Sequence, residues 1–102
     1  MTNGGQGSRP SVPQIRTPDR RSAGVYANGL RVWSTQTEFT LDFVISLPAE
    51  PGSDPQGNEV IISPQEVVAR VKIPPSLVFQ VMRSLAGAQD QYERQWGAIP
   101  DR

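Results

Sequence analysis

Glu38-Phe39-Thr40-Leu41-Asp42-Phe43-Val44-Ile45-Ser46-Leu47 places Phe39, Leu41, Phe43, Ile45 and Leu47 at alternate positions, with Glu38, Thr40, Asp42, Val44 and Ser46 between them. Successive side chains of a strand point to opposite faces, so the stretch predicts a β-strand with one buried apolar face. Upstream, residues 25–35 predict a first strand, with Leu30 and Val32 on one face and Arg31 and Trp33 on the other. A turn at Gln36-Thr37 closes the two into a hairpin. Asn28-Gly29 is read either as a turn that makes Tyr26–Asn28 a separate arm or as the site of a bulge.

Downstream, residues 48–58 carry three prolines and two glycines and read as a loop. Glu59–Ile62 is a possible short strand, and residues 67–73 are rich in β-branched side chains between Pro64 and Pro74. The Ser63-Pro64-Gln65-Glu66 capping-box pattern is therefore set aside in favour of a strand with Val67, Ala69, Val71 and Ile73 inward and Arg70 and Lys72 outward. Pro75 suits the first turn of a final helix that stops at Gly97. Val78, Met82, Leu85, Gln89, Tyr92 and Trp96 recur at steps of four, three, four, three and four residues, one mostly apolar stripe flanked by Leu77, Val81 and Ala88. Gly87, between Ala86 and Ala88, is either a point of close approach or a tolerated glycine.

The fold class expected is α+β: an antiparallel sheet of three to four strands with one long C-terminal helix packed on one face. Residues 1–22 read as a disordered Arg/Pro/Gly-rich tail, 23–99 as one domain and 100–102 as a C-terminal tail. A chain of 102 residues without cysteine has a small core and no disulfide to reinforce it, so a homodimer or higher oligomer is expected. No membrane span or signal-peptide core is legible, which points to a cytoplasmic protein.

Without histidine or cysteine the usual general base, thiolate nucleophile and most transition-metal ligands are missing. No catalytic residue, metal site or cofactor is expected, and the chain is read as not an enzyme. Glu38 and Asp42 share a strand face, as an acid–base pair would, but Arg31, Arg70 and Lys72 fall on the same face and account for them as cross-strand ion pairs. Trp33, Val44, Asp42 and Arg70 on that face, and Tyr92 and Trp96 on the helix, are the candidate interface residues. Arg9, Arg16, Arg20 and Arg21 in the tail are the candidate nucleic-acid contacts.

Tyr26-Ala27-Asn28, Glu38-Phe39-x-Leu41-Asp42-Phe43, Pro48, Ala69-Arg70-Val71 and Tyr92-Glu93-x-x-Trp96-Gly97-x-Ile99 together resemble a family of small uncharacterised bacterial and archaeal proteins known only as a domain of unknown function. The resemblance covers residues 25–99 and implies no activity or cofactor. This chain departs from the family in having Pro74-Pro75 where Ser-Pro usually opens the last helix, which removes a side-chain N-cap. It also has Trp96 where phenylalanine is usual, and a longer loop over residues 48–63. The leading functional expectation is a non-catalytic protein-binding or assembly module that associates with itself and with another protein. A holdase-like chaperone and a nucleic-acid-binding accessory protein are the alternatives.

Overall fold

The computed structural model describes residues 9–100. One helical turn, α1 (Asp19–Ser22), is followed by β1 (Gly29–Ser34), β2 (Phe39–Ser46), β3 (Glu50–Ser53), β4 (Glu59–Ile62) and β5 (Gln65–Ile73). A 3-10 turn, Pro75–Leu77, then leads into the long helix α2 (Val78–Trp96). The class is α+β, with a three-stranded antiparallel sheet in the order β1-β2-β5 and a separate two-stranded sheet of β3 and β4.

Every hydrogen-bonding edge of β2 is used, because β1 and β5 flank it. Leu30 faces Phe43 and Val32 faces Leu41 on one side; Leu41 faces Val71 and Phe39 faces Ile73 on the other. Thr35 N–H donates to the Glu38 carbonyl at 2.9 Å, closing the β1–β2 hairpin around Gln36-Thr37. Asn28-Gly29 forms no separate turn arm, and Gly29 pairs with Val44 at the start of β1. Asn28 N–H donates to the Val44 carbonyl at 3.0 Å, and its side-chain oxygen accepts from Ser46 N–H at 3.1 Å. The motif thus stitches the entry of β1 to the end of β2.

The irregularity lies on β5, where the register shifts between Phe43 and Val44. Val44 pairs with Val67 and Phe43 with Ala69, so Val68 is the extra residue. A one-residue insertion reverses the faces beyond it, and Val67 joins the Asp42 side of the sheet instead of the apolar set expected for it.

The burial of the two faces is the reverse of the expected one. Thr40, Asp42 and Val44 are 2%, 3% and 2% exposed and form the buried set of β2. Phe39, Leu41, Phe43 and Ile45 are only half-buried, and Leu47 is exposed. Long side chains explain the inversion: Arg31, Trp33, Arg70 and Lys72 flank the Thr40–Asp42 face, while the apolar face is flanked by the shorter Leu30, Val32 and Val71. Val44 sits against Gly29, where an added Cβ would meet its Cγ2 at 2.8 Å.

Residues 50–53, expected within a loop, form β3 because Gly52 gives the Ile62 side chain room to lie across that strand. At the tip of the β3–β4 hairpin Asp54 N–H donates to the Asn58 carbonyl at 2.9 Å. Its carboxylate accepts from the backbone N–H groups of Gln56 at 3.0 Å and Asn58 at 2.8 Å, and from Asn58 Nδ2 at 3.1 Å. Gly57 turns the chain at φ +86°. In the N-terminal stretch, residues 1–8 lie outside the described residues, as do 101–102 at the other end. Residues 9–18 carry no regular element, and Pro18 opens the α1 turn, accepting from Arg21 N–H at 2.8 Å. Proline is tolerated at a helix start, where its missing N–H would have had no partner.

The helix begins with no side-chain cap at Pro74 or Leu77, as the Pro74-Pro75 pair implies. It ends at Gly97 (φ +89°), whose N–H donates to the Glu93 carbonyl at 3.0 Å. Its first turns meet the apolar face of the sheet across a crevice of about 360 Å³ lined by Leu30, Leu41 and Phe43 below and by Leu77, Val81 and Leu85 above. The residues turned to the sheet are therefore mainly the Leu77–Val81 flank, with Leu85 the one stripe residue that borders the crevice. No residue of α2 is fully buried. Apart from its chain neighbours and its own helix backbone, none of the described residues comes within 4 Å of a Cβ built on Gly87, so that glycine marks no close approach.

Candidate functional site

The chemistry-bearing side chains collect on the Arg31–Asp42–Arg70 face of the three-stranded sheet. Cross-strand register does this: Arg31 lies opposite Asp42 on one side and Arg70 opposite it on the other, while Trp33 and Lys72 flank Thr40 in the same way. Arg70 holds Asp42 with two parallel hydrogen bonds, Nε to Oδ1 at 2.7 Å and Nη2 to Oδ2 at 2.8 Å. The fork of a guanidinium matches the two oxygens of a carboxylate, which makes such pairs short and directional. The guanidinium carbon of Arg70 lies 5.4 Å from the centre of the Trp33 ring, within cation–π range. Lys72 Nζ donates to Glu38 Oε1 at 3.2 Å and to Thr40 Oγ1 at 3.1 Å, so the buried hydroxyl of Thr40 has a charged partner.

The Arg70 hydrogen bonds hold the Asp42 carboxyl below the usual carboxylate range; burial opposes this, and the charges of Arg70, Arg31 and Lys72 reinforce it. The same bonds raise Arg70 above the ordinary arginine value. Asp42 is thus fixed as an acceptor-only anion at neutral pH, the opposite of what a general acid or a proton-shuttling base needs. Arg31 forms no ion pair among the described residues and leaves this face with an uncompensated positive charge beside Trp33. Asp54, at the hairpin tip, is also lowered, chiefly by the Asn58 backbone N–H and then by the Asn58 side chain.

Of the expected interface residues the sheet brings four to one face: Trp33, Val44, Asp42 and Arg70. Asp42 and Val44 lie underneath, and Trp33 and Arg70 form the half-exposed upper layer. Tyr92 and Trp96 do not join them. They sit in the last two turns of α2, and the hollow beside Tyr92 is lined by helix residues alone. Arg9, Arg16, Arg20 and Arg21 are all exposed; Arg16 reaches Gln14 at 3.4 Å, and Arg20 and Arg21 border a shallow hollow with Gly24 and Val25. Among the described residues no group of three or more His, Cys, Asp or Glu could hold a metal ion, and no helix is long and apolar enough to cross a membrane. The apolar crevice under α2 lies where the helix meets the apolar face of the sheet, and the Leu77–Val81 flank of the helix pattern is its signal in the sequence.

The chain belongs to the family described as Protein of unknown function (DUF3467), whose model matches residues 1–101. No curated protein and no solved structure matches it.

Proposed function

We propose that this member of the family is a non-catalytic protein-binding and assembly module, with the Trp33–Arg70 layer as its partner-facing surface. The observation that carries this reading is the division of labour on that face: Asp42 is buried and spent in a two-pronged pair, while the aromatic and guanidinium groups it positions stay half-exposed. Tryptophan and arginine are the residue types that most often dominate binding energy at protein interfaces, and here a sheet holds them rigidly. The unpaired charge of Arg31 beside them suits a partner segment that offers a carboxylate next to an apolar side chain. Co-purification from the native host with wild-type chain, Trp33→Ala and Arg31→Glu tests this. A partner retained by the wild type and lost from both variants supports the reading; unchanged recovery in both variants defeats it.

A holdase-like role is the second reading, favoured by the half-exposed apolar face of Leu30, Val32, Leu41, Phe43 and Val71. It predicts that the purified chain suppresses aggregation of an unfolded client protein at stoichiometric ratios, which the assembly reading does not.

A further inference from the structure

Most of the stripe of α2 is left without a partner among the described residues: Val78 is half-buried and Leu85 borders the crevice, while Met82, Gln89, Tyr92 and Trp96 are exposed. The helix meets the sheet through Leu77, Gln80, Val81 and Ser84, with Leu85 at the margin. At 100° per residue, the line through Val78, Met82, Leu85, Gln89, Tyr92 and Trp96 lies roughly a quarter-turn away. Met82, Leu85 and Trp96 are accordingly 59%, 67% and 67% exposed. Alternating steps of four and three are the 3.5-residue period of a coiled-coil seam, which stays in contact with a second helix along its length. A face meant only for a sheet needs no such period.

Surface area points the same way. The chain exposes 9200 Å², whereas a compact monomer of its mass exposes about 5,700 Å². Residues 9–18, which carry no regular element and are exposed throughout, supply part of this surplus of about 3,500 Å². A standard two-chain interface removes about 800 Å² from each partner, less than a quarter of that surplus.

We infer that two copies of this chain pair through α2, antiparallel, with the seam Val78-Met82-Leu85-Gln89-Tyr92-Trp96 as the interface. Antiparallel pairing matches small against large: Val78 meets the second copy's Trp96, Met82 its Tyr92 and Leu85 its Gln89. It sets the two helix dipoles in opposition, and it keeps each sheet, which lies under the first half of its own helix, clear of the other sheet. The central Leu85–Gln89 layers carry the one polar position of the seam, the device by which coiled coils select a single register. The Trp33–Arg70 layer stays free for a different protein. The inference rests on the assembly reading above and specifies how the chain meets itself.

The test is the mass of the full chain by light scattering and sedimentation, across about 1–200 µM, for the wild type, Met82→Glu, Leu85→Glu and the control Asp90→Lys, which lies off the seam. A dimeric wild type and control are expected. Either seam variant places a charge in a desolvated layer and weakens the dimer about 100-fold or more, with an unchanged circular dichroism spectrum, because both sites are exposed in the single chain. Since the chain has no cysteine, Leu85→Cys and Gln89→Cys chains can be oxidised singly and mixed. Disulfides between unlike chains are expected; disulfides only between like chains would overturn the antiparallel arrangement. A wild type that stays monomeric overturns the inference, as does a dimer indifferent to both glutamates. In that last case loss of a partner on Trp33→Ala would still uphold the assembly reading, so the two fail separately.

Discussion

Arg70 and Asp42, 28 residues apart in sequence, are joined by two hydrogen bonds of 2.7 and 2.8 Å that tie β5 to β2 beneath an exposed Trp33. The carboxylate at the heart of the chain's most polar face is committed to holding that face together.

This pair makes stability fall in acid. Asp42 and Asp54 both have folded-state values below the ordinary 3.8. A depressed acid stabilises the fold fully above its unfolded value and loses that contribution as pH drops through the folded value. Urea midpoints are therefore expected to stay level from neutral pH to about pH 5 and to decline below about 4. Asp42→Asn lowers the midpoint at neutral pH and flattens the acid decline; an unchanged slope would contradict the assignment.

Gly29 and Val44 predict a coupling. Gly29→Ala forces its new methyl onto Val44 Cγ2, 2.8 Å from the added carbon, and overpacking of this kind costs about 1–3 kcal/mol. Val44→Ala alone removes two buried methyl groups at a cost of about 2 kcal/mol. The double variant is expected to be more stable than the sum of the single losses, because the alanine at 44 vacates the space the other needs. Strict additivity in a urea-denaturation cycle would show that the two side chains do not compete.

Lys72 separates a surface ion pair from a buried hydrogen bond. Glu38→Gln removes only the exposed partner and changes stability by less than about 0.5 kcal/mol. Lys72→Met also strips the Thr40 hydroxyl of its partner, and an orphaned buried hydroxyl costs about 1–3 kcal/mol. Equal effects of the two substitutions would show that the Thr40 contact contributes nothing.

The β3–β4 hairpin is a separate unit of stability. Gly57→Ala forces an alanine to φ +86°, a cost of about 1 kcal/mol, and Asp54→Ala removes three hydrogen bonds from the tip. Hydrogen exchange at β4 amides should accelerate in both variants while β2 amides keep their protection. A uniform loss across both sheets would mean that the hairpin and the main sheet open together.

The sequence made the elements of this fold legible where side-chain period and punctuation agreed. Phe39 to Leu47 alternates cleanly, Gln36-Thr37 closes the hairpin, and Pro75 and Gly97 bracket the helix. Two features were hidden because they depend on three-dimensional neighbours. Which face of β2 is buried follows from the reach of Arg70, Trp33 and Lys72 across it, and alternation alone carries no information about reach. The turning of Val67 follows from one extra residue on β5, and no local composition marks Val68 as that residue. Likewise β3 was masked by Pro51 and Gly52, although Gly52 is the residue that admits Ile62. The ion pairs were legible because an acid on a central strand between two basic neighbours needs only the register to be resolved. Tyr92 and Trp96 belong to a different surface because the helix carries them away from the sheet.

Ser46 and Gln65 are direct cross-strand partners, and Leu47 N–H donates to the Pro64 carbonyl at 2.9 Å immediately beyond them. The whole β3–β4 hairpin thus leaves and rejoins the sheet at a single closed gate. A gate of that kind makes the intervening segment interchangeable: it can lengthen, shorten or be exchanged for another sequence while the strands that meet at Ser46 and Gln65 keep their alignment, so one framework can carry many different arms.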